Sequence, residues 1–85
     1  MRAYVAFVSE LALDAAPKSG NQRTLVMKFI RYLADNPNTA GDFTERDQTN
    51  RVLQVKVIGR FAITYWADHA VCEIKVTHIK SADKI

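Results

Sequence analysis

The runs Arg51-Val-Leu-Gln-Val-Lys-Val-Ile-Gly59, Arg60-Phe-Ala-Ile-Thr-Tyr-Trp-Ala-Asp68 and Val71-Cys-Glu-Ile-Lys-Val-Thr-His-Ile-Lys80 decide the fold. Each alternates with period two and is rich in β-branched and aromatic residues, the pattern of a strand with one buried face. Consecutive runs with short joints read as a three-stranded antiparallel meander. Leu53, Val55 and Val57 share one face of the first run, and Phe61, Ile63, Tyr65 and Ala67 one face of the second. Cys72, Ile74 and Val76 share one face of the third. Opposed residues point the same way, so a one-residue slip turns a whole apolar set over. Keeping the three sets together predicts a three-residue loop, Ile58-Gly59-Arg60, which pairs Val57 with Phe61, Val55 with Ile63 and Leu53 with Tyr65. A two-residue turn at Gly59-Arg60 would set Lys56 opposite Ile63 and is disfavoured on that ground. The same logic predicts a loop from Asp68 to Val71, pairing Ala67 with Cys72, Tyr65 with Ile74, Ile63 with Val76 and Phe61 with His78.

A sheet with one apolar face needs a covering layer. Leu25, Val26, Phe29, Ile30 and Leu33 keep the spacing of a buried helical stripe. Ser19 with Gln22 fits a capping box, Asn21 is a rival cap, and Asn36-Pro37 closes the helix. Residues 2–8 read as a fourth strand. Ser9 to Ala16 fits a strand extension or a short helical turn equally, and Pro17 to Asn21 is a turn by composition. Thr39 to Asn50 is polar and long for a connection, which predicts a functional loop or a ragged strand entrance. The tail Ser81 to Ile85 is too short to fold alone. The expected architecture is one α+β domain over residues 1–85: an N-terminal strand, one main helix with or without a short preceding turn, and the meander, with the helix on one face of the sheet.

A chain of 85 residues, 48% hydrophobic and 25% charged, can build a core under such a layer without a disulfide or a metal. The formal net charge of +3 is a mild bias compatible with an anionic partner. Cys72 is the single cysteine and falls on the expected core face, which reads as a small buried hydrophobe. Met1 to Val8 is too short, and too soon interrupted by Ser9-Glu10, for a signal peptide. No run approaches membrane-spanning length, so a cytoplasmic location is expected. No glycine-rich phosphate loop, nucleophile elbow or carboxylate pair occurs. His69 and His78, with Cys72 inward, offer no metal-ligand spacing, so neither metal nor cofactor is expected.

Arg60-Phe61-Ala62-Ile63-Thr64-Tyr65-Trp66-Ala67-Asp68, followed by Glu73-Ile74-Lys75-Val76-Thr77-His78-Ile79-Lys80, resembles the RelE/ParE superfamily of bacterial toxin–antitoxin systems. That family often runs glycine, aromatic, arginine, aliphatic, then tyrosine and an acidic turn, with a last strand ending in histidine and a basic residue. The resemblance covers Arg51 to Asp83 well and the N-terminal half by layout. It implies a toxin-like protein that binds RNA or the ribosome, with metal-independent cleavage of mRNA as its chemistry, and a cognate antitoxin as partner. The ParE branch implies instead a gyrase inhibitor without catalysis, and a decayed toxin kept as a protein-binding module is a further reading. Lys56, His78 and Lys80 stand where the family carries basic or catalytic groups. Three departures weigh against efficient cleavage: Ala62 occupies the usual arginine position, the terminal catalytic aromatic is missing, and the helical pair looks reduced to one helix.

Cleavage of RNA without metal needs a base for the 2′-hydroxyl, cations for the phosphate and an acid for the leaving oxygen. On the expected register, Gln54, Lys56, Ala62, Thr64, Trp66, Glu73, Lys75 and Thr77 share the face away from the helix. Lys56 and Lys75 suit phosphate there, and Trp66 suits a stacked base. Arg46, Arg51 and Arg60 add cations in the flanking turns. A solvated face of alternating charges competes with this reading. Glu45 and Asp47 would oppose phosphate at Arg46 and Arg51, where a local ion-pair network fits as well. An exposed strand edge also allows a homo-oligomer.

Overall fold

A computed structural model describes residues 3–84, and the side chain of Lys84 lies outside that description. The expectations for Arg2 and Ile85 lie outside the described residues. The chain runs β1 (Val5–Val8), α1 (Glu10–Ala15), α2 (Gly20–Asp35), β2 (Phe43–Arg46), β3 (Val52–Ile58), β4 (Phe61–Asp68) and β5 (Glu73–Ser81), ending in a 3-10 turn, Ala82–Lys84. One five-stranded sheet has the order β1-β5-β4-β3-β2. β1 lies parallel to β5, and the other neighbours are antiparallel. The fold is α+β, with two helices rather than one and a meander of four strands rather than three. Among the described residues no helix is long and apolar enough to cross a membrane.

The ambiguous stretch after β1 is a helix because Ser9 caps it. The Ser9 hydroxyl accepts the Ala12 N–H at 3.1 Å and donates to the Thr77 carbonyl at 2.9 Å, so one side chain starts α1 and pins it to β5. Ser19 is the N-cap residue of α2 by position but makes no side-chain capping bond. Its expected partner, Gln22, is used elsewhere. The helix stops where Asn36 precedes Pro37. Val26, Phe29, Ile30 and Leu33 face inward as the stripe predicted, whereas Leu25 is half exposed. Ala12, Ala16 and the α2 stripe meet Ile63, Tyr65, Ile74, Val76 and Ile79 in one core, so both helices cover the same face of the sheet.

The register differs from expectation at both hairpins. The β3–β4 turn is the two-residue Gly59-Arg60, pairing Ile58 with Phe61, Val57 with Ala62, Lys56 with Ile63 and Val55 with Thr64. Gly59 has φ 59° and leads the turn, the position that a type II′ hairpin reserves for glycine. The Gln22 side-chain oxygen accepts the Arg60 N–H at 3.0 Å and holds the turn against α2. Val55 therefore lies on the opposite face from Ile63 and Ile74. The apolar set is not wasted, because this face is buried too: Leu53, Val55, Ala62 and Thr64 are at most 4% exposed. Two apolar faces in the middle of the sheet break the one-face premise of the sequence argument. Gln54 and Lys56 correspondingly turn to the helix side.

At the β4–β5 hairpin, Asp68 pairs with Glu73, Ala67 with Ile74 and Trp66 with Lys75, so the loop lies one residue later than expected. Cys72 is in that loop at φ 55°, partly exposed, and not in the core. Beyond Tyr65–Val76 a bulge admits an extra residue, and Thr64 pairs with His78 and Ile63 with Ile79. The polar stretch Thr39 to Asn50 contains the edge strand β2, held by the Asp42 carboxylate. That group accepts the Val57 N–H at 2.9 Å and the Lys56 ammonium at 3.0 Å. Gly41 lies so close to β3 that an added Cβ would sit 2.5 Å from the Val55 carbonyl oxygen.

Three outcomes test this packing. Ile63→Ala should lower stability by about 2–5 kcal/mol in chemical denaturation, since it empties a fully buried site. Gly41→Ala should cost about 1–3 kcal/mol and raise amide exchange across Phe43–Arg46, because the atoms it meets are rigid backbone. The third concerns acid. The Val57 N–H and Lys56 hold the Asp42 carboxyl below its ordinary 3.8. The Thr49 hydroxyl and the Arg51 and Thr49 N–H groups do the same for Asp47. A lowered folded value means stability that is fully present above the ordinary value and lost as pH falls through the lowered one. The denaturation midpoints of wild type and Asp42→Ala should therefore differ at neutral pH and converge only as pH falls from the ordinary 3.8 through the lowered value.

Candidate functional site

Among the described residues no helix covers the second face of the sheet. Alternation presents Leu53, Val55 and Val57 there from β3, and Ala62, Thr64 and Trp66 from β4. From β5 come Glu73, Lys75, His78 and Lys80. On β1, Val5 and Phe7 stand beside Glu73 and Lys75 and are 55% and 51% exposed. The bulge places His78. With unbroken alternation His78 would share the face of Ile74 and Val76, inside the core. The extra residue, Thr77, turns it outward, where it lies across from Thr64. The Thr77 hydroxyl is 3.0 Å from His78 Nδ1 and orients the ring.

His78 opens onto a groove of about 460 Å³ with Glu45, Arg46, Leu53 and the turn Asp47–Thr49. This turn is built by Asp47. Its Oδ1 accepts from the Thr49 hydroxyl at 2.7 Å and from the Thr49 and Arg51 N–H groups at 2.9 Å each. Asn50, at φ 65°, completes the reversal, and its carbonyl accepts Arg46 Nη1 at 3.0 Å. Asp47 is thus consumed by the turn it caps. Glu45 forms no ion pair among the described residues and, paired with Leu53, shares its face, while Arg46, paired with Val52, lines the same groove at the strand end with its guanidinium turned to Asn50. Lys80 follows His78 on the same face, across from Ala62, and is exposed.

Farther along the same face, Arg51 lies over the Trp66 ring with its guanidinium carbon 3.9 Å from the centroid. The Lys75 ammonium approaches the ring at 5.6 Å. Lys75 is also 3.3 Å from Glu73 and 3.9 Å from Asp68, and Arg51 is 3.6 Å from Asp47. Of the ion-pair network expected among Arg46, Arg51, Glu45 and Asp47, the described residues show the Arg51–Asp47 pair alone.

The expected site residues are thus divided. Arg51, Trp66 and Lys75 come together, and His78 joins Arg46 with Lys80 beside it. Lys56 does not join them. It lies on the helix side, next to Leu25, Phe29, Tyr32 and Ile58, with its ammonium held by Asp42. Arg60 sits in the exposed β3–β4 turn, away from the groove, with its backbone bonded to Gln22 and Ala82. Ala62 points to the open face but is fully buried there. Glu45 is the group that the sequence offered only as an opponent of phosphate or an ion-pair partner, not as a site residue. Its signal is the period-two run Phe43-Thr44-Glu45-Arg46, hidden in a stretch polar enough to read as loop. Tyr65, by contrast, is no proton-transfer candidate. Burial and the Asp42 carboxylate push its phenol up to about 12, and it donates to the Thr39 carbonyl at 3.0 Å.

No protein-family model, curated protein or solved structure matches this chain.

Proposed function

We propose that this chain binds single-stranded RNA on the sheet face free of helices and cleaves it without metal, as the toxin-like component of a bacterial toxin–antitoxin module. The observation that carries the reading is the groove in which Glu45, Arg46 and His78 meet. In that groove Glu45 takes the proton from a ribose 2′-hydroxyl, and the 2′-oxygen attacks the adjacent phosphorus. Arg46 balances the charge on the phosphate oxygens, and His78 gives a proton to the departing 5′-oxygen. The products are a 2′,3′-cyclic phosphate and a free 5′-hydroxyl, so charge and protons balance with these side chains alone. Arg51, Lys75 and Lys80 lie on the same face for the flanking phosphates. Two helices, α1 and α2, follow β1 and precede β2, an order that supports the reading drawn from the resemblance. Buried Ala62 and the shift of Lys56 to the helix side move the cationic role from those positions to Arg46.

An antitoxin belongs to the same proposal. The apolar hollow beside α2, formed by Leu25, Phe29, Tyr32 and Ile58 with Lys28 and Lys56 at its rim, is where its helix would seat, on the face opposite the cleavage groove.

Purified protein should cut a single-stranded RNA in the presence of EDTA and leave cyclic phosphate ends. Glu45→Gln and His78→Ala should each slow cleavage about 10²–10⁴-fold with folding intact, whereas Lys56→Ala should leave the rate unchanged. Intact RNA with wild-type protein, or equal rates for wild type and His78→Ala, would remove the proposal.

A further inference from the structure

The β3–β4 ladder ends early. Its last pair is Gln54 with Tyr65, yet β3 begins at Val52 and β4 continues to Asp68. Where the strands part, a cleft of about 460 Å³ opens, lined by Arg51, Gln54, Trp66, Ala67, His69 and the linker Pro37–Ala40. Its lining is mixed rather than greasy. Trp66 supplies an aromatic plane, and the guanidinium of Arg51, a side chain 46% exposed, supplies a second over it. Gln54 spends its amide oxygen on the Gly41 N–H at 2.9 Å, while its amide nitrogen has no hydrogen bond among the described residues. The Asn38 carboxamide likewise has none. Beyond Tyr65, the backbone of Trp66 and Ala67 has no β3 partner in the ladder.

We infer that this cleft is a subsite for one unpaired nucleobase of the RNA strand, stacked on the Arg51–Trp66 pair with its edge read by Asn38 and Gln54. The inference rests on the proposed RNA-binding role and adds a base-reading site to it. A plane of matching size, a cation that tolerates a neighbouring phosphate and spare amide groups around the rim are what an unstacked base requires. A folded protein partner would need a larger apolar surface than this mixed cleft offers. Arg51 and Lys75 are both ion-paired, so phosphate binding alone is weak here, and the stacking plane distinguishes this end of the face.

Trp66 is the single tryptophan of the chain, so its emission reports on this cleft directly. The probes are a short single-stranded oligoribonucleotide with non-cleavable 2′-O-methyl sugars, an abasic strand of the same length and a free mononucleotide. Strand binding is read in parallel by anisotropy of an end label. The RNA strand should quench or shift Trp66 emission saturably, and the abasic strand should bind at least about fivefold more weakly. Asn38→Ala should weaken the RNA strand while leaving the abasic strand unchanged, and Arg51→Met should weaken the RNA strand by a larger factor than the abasic one. Anisotropy that reports binding while Trp66 emission stays constant would overturn the subsite and leave RNA binding standing. Equal affinity for RNA and abasic strands would do the same. A mononucleotide that binds as tightly as the strand would overturn the strand subsite in favour of a free-nucleotide pocket. No binding of any probe in either readout would remove the subsite and the RNA-binding proposal together.

Discussion

The Gln22 side chain, reaching from α2 to the backbone of a turn led by Gly59, sets the register on which the rest of this molecule depends. A two-residue primed turn matches the right-handed twist of its flanking strands, and glycine accepts the left-handed conformation at its first position without steric cost. Once Gly59-Arg60 is the turn, every side chain of β3 is assigned a face. Lys56 goes to the helix side and finds Asp42. Leu53 and Val55 go to the other side and bury against Ala62 and Thr64. A turn longer by one residue would exchange these sets and leave an ammonium where the groove floor now lies.

The second face is therefore neither a core nor an ordinary solvated surface. Its centre is buried and largely apolar, and the Thr64 hydroxyl there has no hydrogen-bond partner among the described residues. An orphaned hydroxyl of that kind costs about 1–3 kcal/mol. The polar and aromatic groups sit around this apolar centre. His78 and Glu45 stand on one side, and Trp66 with Arg51 and Lys75 on the other. A rigid apolar floor keeps the side chains that rise from it in defined positions, which suits a binding or catalytic face better than a loop would. The one-residue bulge in β5 is part of that arrangement, since it brings His78 out of the core while Ile79 takes the inward position.

Electrostatically, the face is balanced locally rather than strongly basic. Asp47, Asp68 and Glu73 sit beside Arg51 and Lys75, and the net charge of the chain is small. Long-range attraction for a polyanion is accordingly modest. Recognition on such a face has to come from short-range features: stacking on Trp66 and Arg51, amide groups at the rim and Glu45 in one groove with His78. For the proposed RNA-binding role the turn-forming part of Asp47 matters, because a carboxylate used by the turn competes less with phosphate.

The strands from Arg51 to Lys80 and the helix stripe from Val26 to Leu33 were legible in the sequence. Period-two and helical periodicities follow from backbone geometry and are written locally. The α+β class followed, because those apolar faces have to meet. The helix over Glu10–Ala15 was written ambiguously, and its outcome hangs on Ser9 finding Thr77 far along the chain. The register was settled by tertiary contacts. Alternation alone favours a single buried face, and nothing local announces that β3 and β4 are apolar on both. The bulge that exposes His78, the pinning of Lys56 by Asp42 and the meeting of Glu45 with His78 are all consequences of pairing between distant segments. Residue patterns thus determined which elements form. Only the packed sheet decided which side chains share a face, because that choice is a property of pairs of strands and not of any one of them.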